Sequence, residues 1–219
     1  MHRYDPARQR LALGLAGLAG LVDATGFVVA GGYFTSFMSG NTTRMGVELV
    51  ERPMLALAPL GLIACFLAGV ILGALIGRRF AGRHKRVLLG IITGVLGAGA
   101  GLLAAGLAIP FLALSAVAMG LANNVFARAG EVTVGVTYMT GALVRFGQGI
   151  AARMARQPIP ATRGYGLLWS ALALGAAAGG GLCLIAPMWA AGAAFGFALL
   201  LWGYALRVER APAAVDGGR

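Results

Sequence analysis

Apolar residues along this chain occur in long continuous runs, separated by shorter polar or basic connections. A helix that crosses a bilayer needs about 20 mainly apolar residues. Six runs predict membrane-spanning helices, at residues 11–30, 54–76, 87–108, 111–126, 164–184 and 188–206. The fourth run is the shortest, and we expect it to borrow residues from the turn at Pro110. The pattern therefore predicts an all-α integral membrane protein with six transmembrane helices.

Two of the connections contain related sequences. Residues 35–46 read TSFMSGNTTRMG, and residues 136–147 read VTYMTGALVRFG. Seven of the twelve aligned positions agree or nearly agree, among them Met38 and Met139, Gly40 and Gly141, and Arg44 and Arg145. Upstream, the sequence GLVDA at residues 20–24 faces GLANN at residues 120–124, so that Asp23 has Asn123 as its counterpart. The chain is predicted to be two diverged copies of one unit.

This duplication divides the chain into four parts: a tail at 1–10, a first repeat at 11–108, a second repeat at 109–206 and a tail at 207–219. Each repeat contains three spans and one motif segment. Because three is an odd number, the second copy is predicted to insert upside down. Inverted repeats are typical of secondary transporters, whose substrate site lies near the midplane where the repeats meet. They also occur in some channels, so the pattern indicates movement of a solute but not the mechanism.

Composition and charge support a membrane location. Hydrophobic residues make up 59% of the chain and charged residues only 11%, whereas a soluble domain is about a quarter charged. The net charge of +11 does not indicate a nucleic-acid partner, because the basic residues lie between apolar runs. Both tails and the second and fourth connections together hold 16 of the 18 basic residues. The positive-inside rule then predicts a multi-pass protein of the bacterial inner membrane with both termini cytoplasmic.

The two motif segments are predicted to be short extended pieces followed by half-helices. Residues 31–37 and 132–138 are rich in β-branched, aromatic and glycine residues, which favour extended backbone. After them come Ser39 and Thr140, which are good helix N-caps, and then roughly ten helix-compatible residues. Irregular backbone is tolerated at membrane depth only where it is buried in protein or lines a polar cavity. We therefore expect the two segments to meet inside the protein.

A meeting of two helix N-termini would favour an anion or a carboxylate-bearing solute, because their free N–H groups carry partial positive charge. Arg44 and Arg145, about one and a half turns into the half-helices, would reinforce that preference. The alternative for both arginines is an anchor at the lipid headgroups.

Asp23 lies within the first span, where a charge costs about 2.5–3.5 kcal/mol on insertion scales. It is predicted to accept a coupling proton or bind an ion, and the alternative is a structural ion pair with Arg44. Asn123 is its uncharged counterpart, so an acidic function belongs to one repeat only. Four further polar residues are either structural caps or line the site: Ser39, Asn41, Thr42 and Thr140.

Other chemistry is less well supported. His2 and His84 are far apart in sequence, and Cys65 and Cys183 are lone thiols within apolar runs, so neither a metal site nor a cofactor is expected. An intramembrane hydrolase would need a base beside a nucleophile such as Ser39, and no histidine or lysine lies at a plausible spacing. We therefore expect no enzymatic activity. Glycine ladders predict close helix packing, either within one chain or across a homodimer: Gly69-Gly73-Gly77, Gly90-Gly94 and Gly175-Gly179.

The GLVDA run, the FMSGNTTRMG run at residues 37–46, the MGL of residues 119–121 with Asn123, and the TYMTG of residues 137–141 together resemble the YoaK family of bacterial inner-membrane proteins. The resemblance covers residues 11–206, and its most specific part is SGNTTR. It implies a compact plasma-membrane protein of roughly six spans, from a family without an established activity.

Together these features predict a small secondary transporter, or half of a dimeric one, that lies in the lipid bilayer and moves a small polar or anionic solute. A passive channel and a non-transporting scaffold are the alternatives. Replacing Asp23 by asparagine would abolish pH-driven uptake by a transporter and only alter the selectivity of a pore. The predicted site consists of Asp23, Ser39, Gly40, Asn41, Thr42 and Arg44 from one repeat and Asn123, Thr140, Gly141 and Arg145 from the other.

Overall fold

The computed structural model describes residues 5–128, 131–132, 135–157 and 164–208, so residues 1–4 of the first predicted tail and 209–219 of the second lie outside these ranges. The described residues form eight helices and one pair of two-residue antiparallel strands. The helices are α1 Pro6–Val29, α2 Met38–Glu51, α3 Leu57–Arg79, α4 His84–Ala104, α5 Ala108–Ala122, α6 Met139–Met154, α7 Tyr165–Ile185 and α8 Pro187–Val208. The strands β1 Ala127–Arg128 and β2 Glu131–Val132 pair with each other between α5 and α6.

The predicted spans correspond to helices in the structure. Five helices, α1, α3, α4, α7 and α8, are long and apolar enough to cross a bilayer by length and composition. The fourth predicted span is the shorter apolar helix α5, of 15 residues. It begins before Pro110, as its sequence suggested, and only three residues separate it from α4. At the other tight connection, Ala186 alone separates α7 from α8.

Helix α1 forms the centre of the protein. In the most apolar 18-residue stretch of each helix, 61% is buried in α1, compared with 17% in α3 and 11% in α7. Leu11, Leu15 and Leu18 of α1 are fully enclosed in the main hydrophobic core. The outer faces of α3 and α7 instead expose large apolar side chains such as Leu67 and Leu174. Exposed apolar faces of this extent are expected where a helix contacts lipid.

Helix contacts match between the two halves of the chain. Helix α1 packs on α7 and α8, and its counterpart α5 packs on α3 and α4. Likewise α2 packs on α3 as α6 packs on α7, and α3 contacts α4 as α7 contacts α8. The pairs α4–α8 and α1–α5 join each helix to its own counterpart. This correspondence agrees with the sequence repeat.

Glycines permit the close approach of α1 and α7. A methyl group on Gly20 would collide with the carbonyl oxygen of Leu172, and one on Gly175 would collide with the carbonyl oxygen of Gly17. Neither clash can be relieved by moving a side chain, because the obstructing atom belongs to a helix backbone.

The equivalent crossing of α3 and α5 uses the same device. A methyl group on Gly120 would meet the carbonyl oxygen of Phe66, and one on Gly69 would meet that of Val117. Glycines of the predicted ladders thus pack within one chain at Gly69, Gly73, Gly90, Gly175 and Gly179, whereas Gly77 and Gly94 face open space in the part of the chain described.

The prediction that Ser39 and Thr140 cap the motif helices is wrong. Helices α2 and α6 begin at Met38 and Met139, two residues earlier than those caps imply, and neither has a side-chain capping hydrogen bond at its N-terminus. The start of α2 is instead fixed by a turn in which the Met38 N–H donates to the Ser36 carbonyl oxygen, at 3.1 Å. Both helices are longer than predicted, with 14 and 16 residues.

The extended pieces are also only partly as predicted. Residues 31–37 form turns and bends without a strand. In the second repeat, β2 occupies residue 132, and residues 133–134 of the predicted piece lie outside the described ranges. The reason is that backbone groups of the first segment form hydrogen bonds with side chains of α1 and α2 rather than with another strand.

Candidate functional site

After α1 the chain turns back along the helix it has just left. Gly31 and Gly32 have φ angles of 66° and 107°, in the left-handed region that glycine adopts without strain. The Gly32 N–H donates to the Phe27 carbonyl oxygen at 2.8 Å. The turn therefore sends residues 33–37 back toward the interior instead of outward.

Asp23 holds the returning segment. Its Oδ1 accepts hydrogen bonds from the backbone N–H groups of Thr35, at 2.7 Å, and Ser36, at 2.8 Å, and from the Thr35 hydroxyl at 3.3 Å. Asp23 lies six residues before the end of α1 at Val29, which corresponds to about 9 Å along a helix. The segment thus descends beside the last turns of α1, and α2 begins from that depth.

Asn41, in the first turns of α2, holds the same segment from the other side. Its Oδ1 accepts the Phe34 N–H at 2.9 Å, and its Nδ2 donates to the Phe34 carbonyl oxygen at 2.7 Å. The side chain therefore satisfies both backbone groups of one residue, as a neighbouring strand would. Asn41 is fully buried.

Replacing Asn41 by alanine is expected to loosen residues 31–37, because both backbone groups of Phe34 lose their partner. Orphaned buried groups cost about 1–3 kcal/mol each, and amide exchange of Phe34 should quicken by at least about tenfold, since 1.4 kcal/mol is a factor of ten. Hydrogen exchange followed by mass spectrometry measures this. Thr42→Ala is the matched control, since Thr42 is exposed and bonds only to Met38 of its own helix. Equal exchange in both variants would contradict the assigned role.

Asn123 holds the second motif segment in a related way. Its Oδ1 accepts the Thr137 hydroxyl at 3.2 Å, and its Nδ2 donates to the Met119 carbonyl oxygen at 3.1 Å. The neighbouring Asn124 donates to the Val70 carbonyl oxygen of α3 at 3.1 Å. The two counterparts Asp23 and Asn123 therefore both contact the segment that precedes a motif helix, one with a carboxylate and the other with an amide.

Both motif segments border one cavity of about 590 Å³. Its walls come from α1, from the returning segment, from the first turn of α6 with the residue Thr137 just before it, and from α7. The polar side chains in the wall are Asp23, Ser36, Thr137 and Thr140. The remainder of the wall is mainly apolar, with contributions from Phe27, Phe34, Phe37, Met139 and Leu172.

Of the ten predicted site residues, Asp23 and Thr140 line this cavity. Asn41 and Asn123 lie behind it and hold residues that line it. Gly40 also acts from behind, because a side chain there would displace the rings of Phe37 and Phe34. The structure does not bring the other five to the wall: Ser39, Thr42, Arg44, Gly141 and Arg145.

Arg44 is engaged outside the cavity. Its guanidinium lies 4.6 Å from the centre of the Tyr33 ring, donates to the Gly32 carbonyl oxygen, and has its Nε 3.9 Å from Glu48 Oε1. Tyr33 donates to the same Glu48 oxygen at 2.6 Å, and this hydrogen bond raises the pKa of the phenol. Among the residues described, Arg44 therefore pairs with Glu48 and not with Asp23.

Arg145 makes a similar contact in the second repeat. Its guanidinium lies 5.1 Å from the centre of the Tyr165 ring, and its Nη1 donates to the Tyr165 hydroxyl at 3.1 Å. Each motif arginine is thus stacked on a tyrosine at the edge of the protein. Neither contact was foreseen, because the tyrosines lie 11 and 20 residues away in sequence.

The aromatic wall of the cavity was also missed by sequence reasoning. The ring centres of Phe27 and Phe34 are 5.1 Å apart, and those of Phe34 and Phe37 are 5.2 Å apart with the rings edge to face. Phe27 belongs to an apolar run and so carried no separate signal. Only the return of the chain along α1 brings Phe34 and Phe37 to the same place.

Within the described ranges, no group of three or more histidine, cysteine, aspartate or glutamate side chains could hold a metal ion.

Comparison with known proteins places the chain among membrane proteins. A family model described as "Protein of unknown function (DUF1275)" matches residues 11–204. The chain is also 36% identical over 150 residues to the UPF0700 transmembrane protein RA0705 of Rhizobium meliloti (strain 1021). That alignment covers 65% of this chain and 64% of the relative, slightly less than two thirds of its length. No solved structure matches the chain at a significant level.

Proposed function

We propose that this chain, which belongs to the DUF1275 family and is a multi-pass membrane protein by its apolar helices and its similarity to a transmembrane protein, is a small secondary transporter. It acts alone or as half of a dimer, and it moves a small polar or charged solute through the cavity between the motif segments. The family agrees with the resemblance noted from the sequence, although neither match carries the YoaK name. The proposal includes no enzymatic step and no cofactor.

One observation carries this proposal. The segment before α2 and the start of α6 come from motifs about a hundred residues apart, and both line the same cavity beside Asp23. Ionisable and hydrogen-bonding groups are retained within membrane-spanning segments mainly where they serve a pathway or bind a ligand. A cavity at the meeting point of two repeats is also where secondary transporters bind their substrates.

The proposal includes the membrane arrangement. Three spans in each repeat place the two copies in opposite orientations, so that α2 and α6 enter from opposite sides of the bacterial inner membrane. The excess of basic residues in the tails and in the second and fourth connections supports cytoplasmic termini under the positive-inside rule. Arg44 and Arg145, which are engaged on tyrosines, take no part in binding the solute.

The experiment uses the full chain reconstituted into liposomes that contain a pH-sensitive dye. Small polar solutes, namely amines, carboxylates, amino acids and sugars, are added outside one class at a time. A coupled transporter gives a solute-dependent pH change inside, and Asp23→Asn should abolish it. Gly181→Ala is the control, because Gly181 faces open space and does not line the cavity.

Two results would contradict the proposal. Solute flux without proton movement, with Asp23→Asn changing only selectivity, would indicate a channel. Absence of flux for every class in liposomes that demonstrably contain folded protein would favour a scaffold.

A further inference from the structure

The charge balance of the cavity differs from the one that paired helix N-termini suggested. Asp23 is the one ionisable side chain in the wall as far as the structure is described, and the α6, α7 and returning-segment residues that face it are apolar or uncharged. The N-termini of α2 and α6 both lie at the cavity, since Phe37 just before α2 and Met139 at the start of α6 line it. Each contributes about half a positive charge at most, and that effect falls off within the first helical turn. The ionised Asp23 carboxylate is a full charge on one side chain of the wall, so it is the strongest single charge that faces the cavity.

The aromatic side chains act in the same direction. Phe27, Phe34 and Phe37 border the same cavity as Asp23. The face of an aromatic ring carries negative charge density and attracts cations, most strongly where water is excluded. Rings also provide contact area for apolar substituents. A carboxylate with aromatic rings around it is a binding site for an organic cation and a poor one for an anion.

The hydrogen bonds of Asp23 leave room for this role. The backbone N–H groups of Thr35 and Ser36 and the Thr35 hydroxyl donate to Oδ1, and the side chain nevertheless lines the cavity. The volume of about 590 Å³ lies within the range of about 300–1,000 Å³ that is usual for small-molecule sites.

We infer that the cavity binds a hydrophobic organic monocation, of the quaternary ammonium or phosphonium class, with its charge at Asp23 and its apolar substituents on the three phenylalanines. Transport of this cation across the membrane rests on the proposed function. Its binding in the cavity does not.

The test measures binding to the purified full chain in nanodiscs, with radiolabelled tetraphenylphosphonium as the probe. Tetraphenylborate is the matched ion, since it has nearly the same size and shape with the opposite charge. The wild-type protein should bind the cation saturably and at least about tenfold more tightly than the anion, the effect of one close charge pair. Asp23→Asn should remove most of this preference, and Phe34→Leu should weaken cation binding. Gly181→Ala should bind as the wild type does.

Equal affinity for the two ions, tighter binding of the anion, or unchanged cation affinity in Asp23→Asn would overturn the inference. If Asp23→Asn does not fold, the comparison of the two ions on the wild-type protein decides alone. The outcomes also separate the two proposals. Cation binding without flux in liposomes would retain the site and contradict the transporter, whereas flux of an anionic or neutral solute without cation binding would do the reverse.

Discussion

Asp23→Ala is expected to lower the apparent melting temperature of the purified protein strongly, whereas Asp23→Asn is expected to leave it near that of the wild type. The carboxylate accepts the backbone N–H groups of Thr35 and Ser36, both buried residues. Alanine removes the acceptor, and each orphaned buried donor costs about 1–3 kcal/mol. Asparagine retains an oxygen at the same position.

This pair of substitutions separates two roles of one side chain. Thermal unfolding followed by size-exclusion chromatography measures the structural role, and the liposome assay measures the role of the charge. Asn123, which holds the second segment as a neutral amide, shows that the fold accepts asparagine at an equivalent place. Equal losses of stability for alanine and asparagine would contradict the role of the Asp23 oxygen as a hydrogen-bond acceptor.

Gly175→Ala is expected to destabilise the protein although it adds only one methyl group. The new Cβ would overlap the carbonyl oxygen of Gly17, so α1 and α7 would have to separate along their whole crossing. Overpacking of this kind costs about 1–3 kcal/mol or more. Gly181→Ala, six residues further along α7, meets nothing within 4 Å and should be neutral or stabilising by up to about 1 kcal/mol through helix propensity.

The repeat supplies an independent copy of this test. Gly69 of α3 meets the Val117 carbonyl oxygen in the same manner, and Gly77 of α3 faces open space. Gly69→Ala and Gly77→Ala should therefore reproduce the contrast between Gly175→Ala and Gly181→Ala in melting temperature. A difference in melting temperature at one helix crossing and none at the other would show that the two crossings do not contribute equally to stability.

Five of the six predicted spans correspond to helices long and apolar enough to cross a bilayer, and they were predictable because such a helix is encoded locally, by an apolar run of sufficient length. The duplication was likewise visible, since residues 35–46 and 136–147 can be aligned directly. The caps were not predictable. Ser39 has the right chemistry for an N-cap, but residues 34–36 donate backbone hydrogen bonds to Asp23 and Asn41, and these contacts fix the backbone so that α2 starts before Ser39.

The candidate site was half predictable for a similar reason. A charged residue inside an apolar run is visible in the sequence as a candidate site residue, and Asp23 does line the cavity. The motif arginines were assigned to the site by their proximity in sequence, but Tyr33 and Tyr165 bind them elsewhere. Aromatic residues carry no comparable signal, because phenylalanine is as suitable for lipid contact as for a cavity wall. The long-range path of the chain, and not the residue type, determines whether a phenylalanine contacts lipid or lines the cavity.

The two side chains that bind the motif segments differ by a single functional group, a carboxylic acid in Asp23 and an amide in Asn123. An amide has one protonation state near neutrality, so the Asn123 side chain cannot ionise. The two repeats therefore hold equivalent segments with different chemistry, and the first repeat alone has an acidic group at this position.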